Sequence, residues 1–133
     1  MKTVKKRTRP TVLGSRTMKQ ASPHGSIFLT VGEDTDGEPF EVFVNVGKRG
    51  SEVYALGEAI GRLISLTLRL TELGAPAERL QLIADQLAGI GGGRMHIENG
   101  EPTYSIPDTI GQMLGGKSVS LGNGLDGQQE LGS

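Results

Sequence analysis

Cysteine is absent from this chain of 133 residues. That excludes a disulfide framework, a thiolate metal site, and a cysteine nucleophile or radical carrier within the chain. Freedom from disulfides fits a cytoplasmic setting. Tryptophan is also absent and aromatics make up only 4%, so the core is expected to be aliphatic and small. No apolar run approaches the ~18 residues that suggest a membrane span. The basic start has no apolar segment behind it, so no secretory leader is expected. Acidic residues are missing from the first 20 positions, which hold Lys2, Lys5, Lys6, Arg7, Arg9, Arg16 and Lys19. The other half of the 14 basic residues is set against all 15 acidic ones. A basic arm on an acidic body is the expectation.

What is present has a readable order. Residues 1–22 are polar and basic and show no clear period. They are expected to form an arm, extended near Arg9-Pro10 because a residue before proline avoids the α region. Pro23-His24-Gly25 then turns the chain. "SIFLTVGE", from Ser26, is rich in β-branched and aromatic residues and predicts a strand. Asp36-Gly37 signals a tight turn. In "PFEVFVNVG", Phe40, Val42, Val44 and Val46 form an apolar face, while Phe43 interrupts the polar one. The two strands predict a β-hairpin.

From Ser51 the period becomes helical. Val53, Leu56, Ile60, Leu63, Ile64 and Leu70 fall on one stripe. Ser51 can cap the helix, and Glu52 suits the positive end of its dipole. Gly57 and Gly61 lie four apart, so another backbone can approach closely. Gly74 ends this helix. Pro76 opens a second, marked by Leu80, Ile83, Ala84 and Leu87. "GIGGG", Gly89 to Gly93, stops it. A second hairpin is expected on Asn99-Gly100, with Pro102 placing its return strand at an edge. Ser105 with Asp108 resembles a capping box for a short last helix. Residues 115–133 are expected to form a flexible tail rich in Gly, Ser and Gln.

Several segments could carry function. Gly47, Lys48, Arg49, Gly50 and Ser51 form a corner between strand and helix. Backbone N–H groups at a helix start, with two cations beside them, suit an anion or nucleotide. The Walker order is absent, and the two glycines alone would also explain a tight corner. Lys5, Lys6, Arg7 and Arg9 are candidates for gripping nucleic-acid phosphates, although the arm has no aromatic residue to stack a base. Connecting chain with solvated charges is the other reading. His24 and His96 are not spaced as metal ligands. Glu33, Asp34, Asp36 and Glu38 lack the pattern of a calcium loop. No nucleophile–base pair is legible, and no metal site is expected. "GIGGGR" follows a helix rather than opening one, which favours a C-cap over a phosphate loop.

Taken together, "PFEVFVNVGK" with its Gly-Ser, "EAIGRLISL", "IADQLAGIGGGR" and "SIPDTIGQ" resemble the TSCPD domain over about Arg7 to Leu114. That domain is best known near the C-terminus of adenosylcobalamin-dependent (class II) ribonucleotide reductases. Many relatives carry cysteines where this chain reads "SPHG" and "GIGGGR", so it resembles a cysteine-free branch. The reductase's catalytic barrel and its cysteine-bearing tail lie outside this sequence. The resemblance implies a non-catalytic accessory or regulatory domain, either a piece of such an enzyme or a free-standing relative. No cofactor is expected in this chain, and adenosylcobalamin would enter only through a parent or partner reductase. The implied partner is a reductase catalytic chain. The alternatives are a nucleic-acid-binding protein using its arm, and a structural protein that self-associates through an exposed hairpin edge and the Gly57/Gly61 face. The expected fold class is α+β: a basic arm (1–22), a domain (23–114) with a hairpin on two helices, a smaller β element and a short final helix, and the tail (115–133).

Overall fold

A computed structural model describes residues 3–116. The fold is α+β, as the sequence predicts. Three strands, β1 (Gly14–Ser22), β2 (Gly25–Glu33) and β3 (Pro39–Val46), form an antiparallel meander in the order β1-β2-β3. Helices α1 (Glu52–Arg69) and α2 (Pro76–Leu87) follow. A small hairpin, β4 (His96–Glu98) and β5 (Glu101–Thr103), leads into α3 (Ile106–Leu114). No described helix is long and apolar enough to cross a membrane.

The first strand is a correction to the expected arm. Residues 14–22 pair along β2, from Gly14 opposite Glu33 to Ser22 opposite Gly25. The strand escapes a hydrophobic reading because it lies at the sheet edge and turns only Met18, Gln20 and Ser22 inward. The segment before it is also held. Arg7 N–H donates to the Arg69 carbonyl and Thr71 N–H to that of Lys5, which straps the chain across the end of α1.

Inner residues alternate along β2 and β3 as a half-buried sheet requires. Ile27, Leu29, Val31, Val42, Val44 and Val46 form one wall of the core. Ile64 and Leu68 of α1 and Ile106, Ile110 and Met113 of α3 close it. The buried stripe of α1 is Gly57, Gly61, Ile64 and Leu68. Leu56 and Leu63, expected inside, are 51% and 65% exposed. The glycines set this rotation. A Cβ on Gly57 would lie 2.8 Å from Val46 Cγ1, and one on Gly61 3.2 Å from the Val42 carbonyl oxygen. The Gly57/Gly61 face is therefore filled by β3 and is not a surface for a second copy. Ser65 bonds both the N–H and the C=O of Val42. At that point α1 covers the β3 edge that the hairpin was expected to expose.

Local signals are well placed. Ser51 accepts the Tyr54 N–H, and Ser105 accepts that of Asp108. Asn99 and Gly100 adopt φ of 54° and 80°, as a two-residue hairpin turn needs. The expected tail lies outside the described residues from residue 117 onward.

Candidate functional site

The corner after β3 owes its shape to its glycines. Gly47 and Gly50 have φ of 71° and 88°, which side chains disfavour. Ser51 spends its hydroxyl on the helix cap, at 3.1 Å from the Tyr54 nitrogen. Lys48 and Arg49 are exposed. Arg49 places its guanidinium 5.6 Å from the centre of the Tyr54 ring, on the first turn of α1. Of the corner residues, Arg49 lines a groove that Tyr54 also borders.

That groove has a volume of about 600 Å³ and runs between β3 and α1. Phe43 and Asn45 border it from the sheet, and Tyr54, Glu58 and Arg62 from the helix. Lys6 of the N-terminal strap, bridged to Leu70 just past the end of α1, also lines it. Arg62 is paired with Glu58 at 2.7 Å on the exposed surface. Arg69, also on the wall, bonds Glu41 at 3.1 Å. Lys6 and Arg49 have no acidic partner among the described residues. Two stretches more than 40 residues apart thus bring two uncompensated cations to one concave surface. Such a surface attracts an anion, and a multivalent one most strongly.

The remaining arm candidates have other tasks. Arg9 grips Glu41 with two bonds of 3.0 and 2.9 Å. Arg7 bonds Asp34 at 2.9 Å and the Leu68 carbonyl at 3.0 Å. Arg7 and Arg69 lie over Phe40, 4.8 and 5.0 Å from its ring centre. The expected phosphate grip of Arg7 and Arg9 is therefore replaced by bonds that fasten the strap to the body. Glu41 is only 3% exposed, and its charge needs them. Lys5 faces a separate surface beside Leu70 and Leu73.

These carboxylates set a pH dependence. The Arg9 hydrogen bonds hold the Glu41 carboxyl below its ordinary range against the opposing effect of burial, helped by the charges of Arg9 and Arg69. Burial pushes Asp34 upward. The Glu38 and Asp36 N–H groups and Arg7 more than reverse it, so Asp34 also lies low. A depressed folded pKa contributes stability that is fully present above the unfolded pKa and lost as pH falls through the folded one. The unfolding free energy in urea is expected to decline below roughly pH 4–5. Glu41→Gln should cost about 1–3 kcal/mol at pH 7 and flatten the acid limb. An acid limb identical to that of the parent would remove Glu41 from this role.

Other candidates resolve differently. No group of three or more His, Asp or Glu among the described residues is placed to hold a metal ion. In "GIGGGR", a Cβ on Gly92 would lie 2.9 Å from the Tyr104 carbonyl oxygen, so that glycine serves close packing. Tyr54 and Arg62 escape the sequence reading as site residues. Their signal was the spacing of 54, 58, 62 and 69, a polar stripe on the flank of α1.

The TSCPD domain family model matches residues 2–116. No curated protein and no solved structure matches the chain in the comparisons.

Proposed function

Because the chain belongs to the TSCPD domain family, we propose that it is a non-catalytic accessory domain working with an adenosylcobalamin-dependent ribonucleotide reductase. Its contact surface is the groove between α1 and β3. The group received there is a phosphate, either of a bound nucleotide or of one presented by the reductase. The observation that carries this reading is that Lys6 and Arg49, placed near opposite ends of α1, both line this groove without an acidic partner among the described residues. Tyr54 supports Arg49 from below, and Arg62 supplies a third cation, shared with Glu58. The corner at Gly47–Ser51 contributes Arg49 to this surface and fixes the start of α1. Adenosylcobalamin and the radical chemistry belong to the partner, and this chain's part is docking or regulation in the supply of DNA precursors.

The test is association with the catalytic chain of a class II reductase, followed by light scattering with and without nucleoside triphosphate. The double variant Lys6→Glu/Arg49→Glu changes only exposed or half-buried side chains and should fold normally. It is expected to bind at least about tenfold more weakly, equivalent to ~1.4 kcal/mol. Equal binding by variant and parent would move the contact elsewhere, and no binding by the parent would end the reductase reading.

A further inference from the structure

The outer face of the sheet has an unusual composition for this chain. There are only three phenylalanines and no tryptophan. Phe40 is buried, yet Phe28 and Phe43 stand on the outer face, 44% and 52% exposed. Phe28 lies opposite Asn45, and Phe43 opposite Thr30. The two residues are therefore diagonal neighbours on adjoining strands, their backbones about 7–8 Å apart. Their surroundings are polar. Thr17 and Thr30 share a hydrogen bond of 2.8 Å. Lys19, opposite Phe28 on β1, places its ammonium 5.6 Å from the centre of that ring. At the other side Phe43 and Asn45 border the groove that holds Lys6 and Arg49. Cations thus flank the aromatic pair at both ends. Glu41 on this face is neutralised by Arg9 and Arg69, and Glu58 across the groove is paired with Arg62.

We infer that this face binds single-stranded nucleic acid across the strands, from Lys19 towards Arg49. Phe28 and Phe43 stack one base each, and Lys19, Arg49 and Lys6 neutralise the phosphates alongside. Exposed aromatic rings on an open sheet, with flanking cations, are how sheet-based modules hold splayed bases. Duplex bases, stacked every ~3.4 Å along each strand, offer no free faces to such rings. Asn45 and the two threonines supply hydrogen bonds that any base can use, so little sequence preference is expected. The charge on both sides distinguishes this face from an apolar protein contact. From sequence alone, the basic arm is one candidate for holding nucleic acid. The exposed aromatic rings that the arm lacks stand on β2 and β3. This inference is independent of association with a reductase.

Fluorescence anisotropy of a labelled 15-nucleotide oligothymidylate, titrated with the full chain at low salt, tests it. Phe28→Ala and Phe43→Ala should each weaken binding by about tenfold or more, and the pair by about a hundredfold. Phe43→Tyr should restore most of the loss. Lys19→Ala should lower the slope of log affinity against log salt by about 0.7. Both rings are exposed, and an unchanged circular dichroism spectrum confirms that each variant folds. The inference is overturned if the parent does not bind, or if duplex binds as tightly as single strand. It is also overturned if the alanine variants bind like the parent, or if they act by dissociating a dimer seen in sedimentation.

Discussion

Gly111→Ala should lower stability by about 3 kcal/mol or more, in a domain whose total is of the order of 5–15 kcal/mol. At an open helical site the same change would help by up to about 1 kcal/mol, because alanine favours helix. Here the added Cβ would lie 2.6 Å from the Ala88 nitrogen, 2.8 Å from the Ala84 oxygen and 3.0 Å from the Leu87 carbonyl carbon. All three are backbone atoms of the end of α2, and none can swing aside as a flexible side chain would. Relief requires α2 and α3 to part. That would loosen the packing of Ile110 and Met113, which are 0% and 2% exposed. It would also strain the Asp108 bonds to the Gly89 and Tyr104 N–H groups. The measurement is a urea midpoint. Gly14→Ala, where the new methyl meets nothing within 4 Å, is the control and should change little.

The second large effect is expected at Arg79. This arginine is 9% exposed and has no carboxylate partner among the described residues. Its guanidinium instead donates to the carbonyls of Thr67, Leu70 and Gly74. Those carbonyls belong to the last turn of α1 and the connection to α2, where orphan acceptors need donors and the helix dipole favours a cation. Burial lowers the pKa of Arg79, and the charge of Arg7 lowers it further, so holding the charge there has a cost that the three bonds offset. Arg79→Met keeps the apolar stem but leaves three acceptors without their donor. At about 1 kcal/mol each, the loss is about 3 kcal/mol, or a fall in Tm of about 10–20 °C. Arg79→Lys should recover only part, because an ammonium cannot reproduce the fork. A Tm within a few degrees of the parent in Arg79→Met would show that water replaces the guanidinium freely.

The contrast between what was legible and what was not has a physical basis. Signals carried by neighbours in sequence survive folding. Ser51 and Ser105 cap their helices, and Asn99-Gly100 turns its hairpin. β2 and β3 were legible because one face of each is buried against the core. β1 was not, since its outward residues are polar and it is held by pairing with β2 more than by burial. In α1 the stripe was read from large apolar residues, whereas the closest approach to β3 is made by Gly57 and Gly61. Hydrophobicity gives a glycine no weight, so the phase came out rotated and Leu56 and Leu63 were expected inside. The candidate site follows the same logic. Lys6 and Arg49 were each identifiable as cations. That Arg7 and Arg9 would be claimed by Asp34 and Glu41, leaving Lys6 and Arg49 on one groove, depends on contacts across the fold.

The central functional claim is that the groove between α1 and β3 receives a phosphate group. The most direct measurement is an amide chemical-shift titration of the isotopically labelled chain with pyrophosphate and with ATP. Saturable shifts are expected at Lys6, Asn45, Arg49 and Tyr54, and they should vanish in Lys6→Glu/Arg49→Glu. An absence of shifts at millimolar ligand, or shifts confined to residues away from β3 and α1, would contradict it.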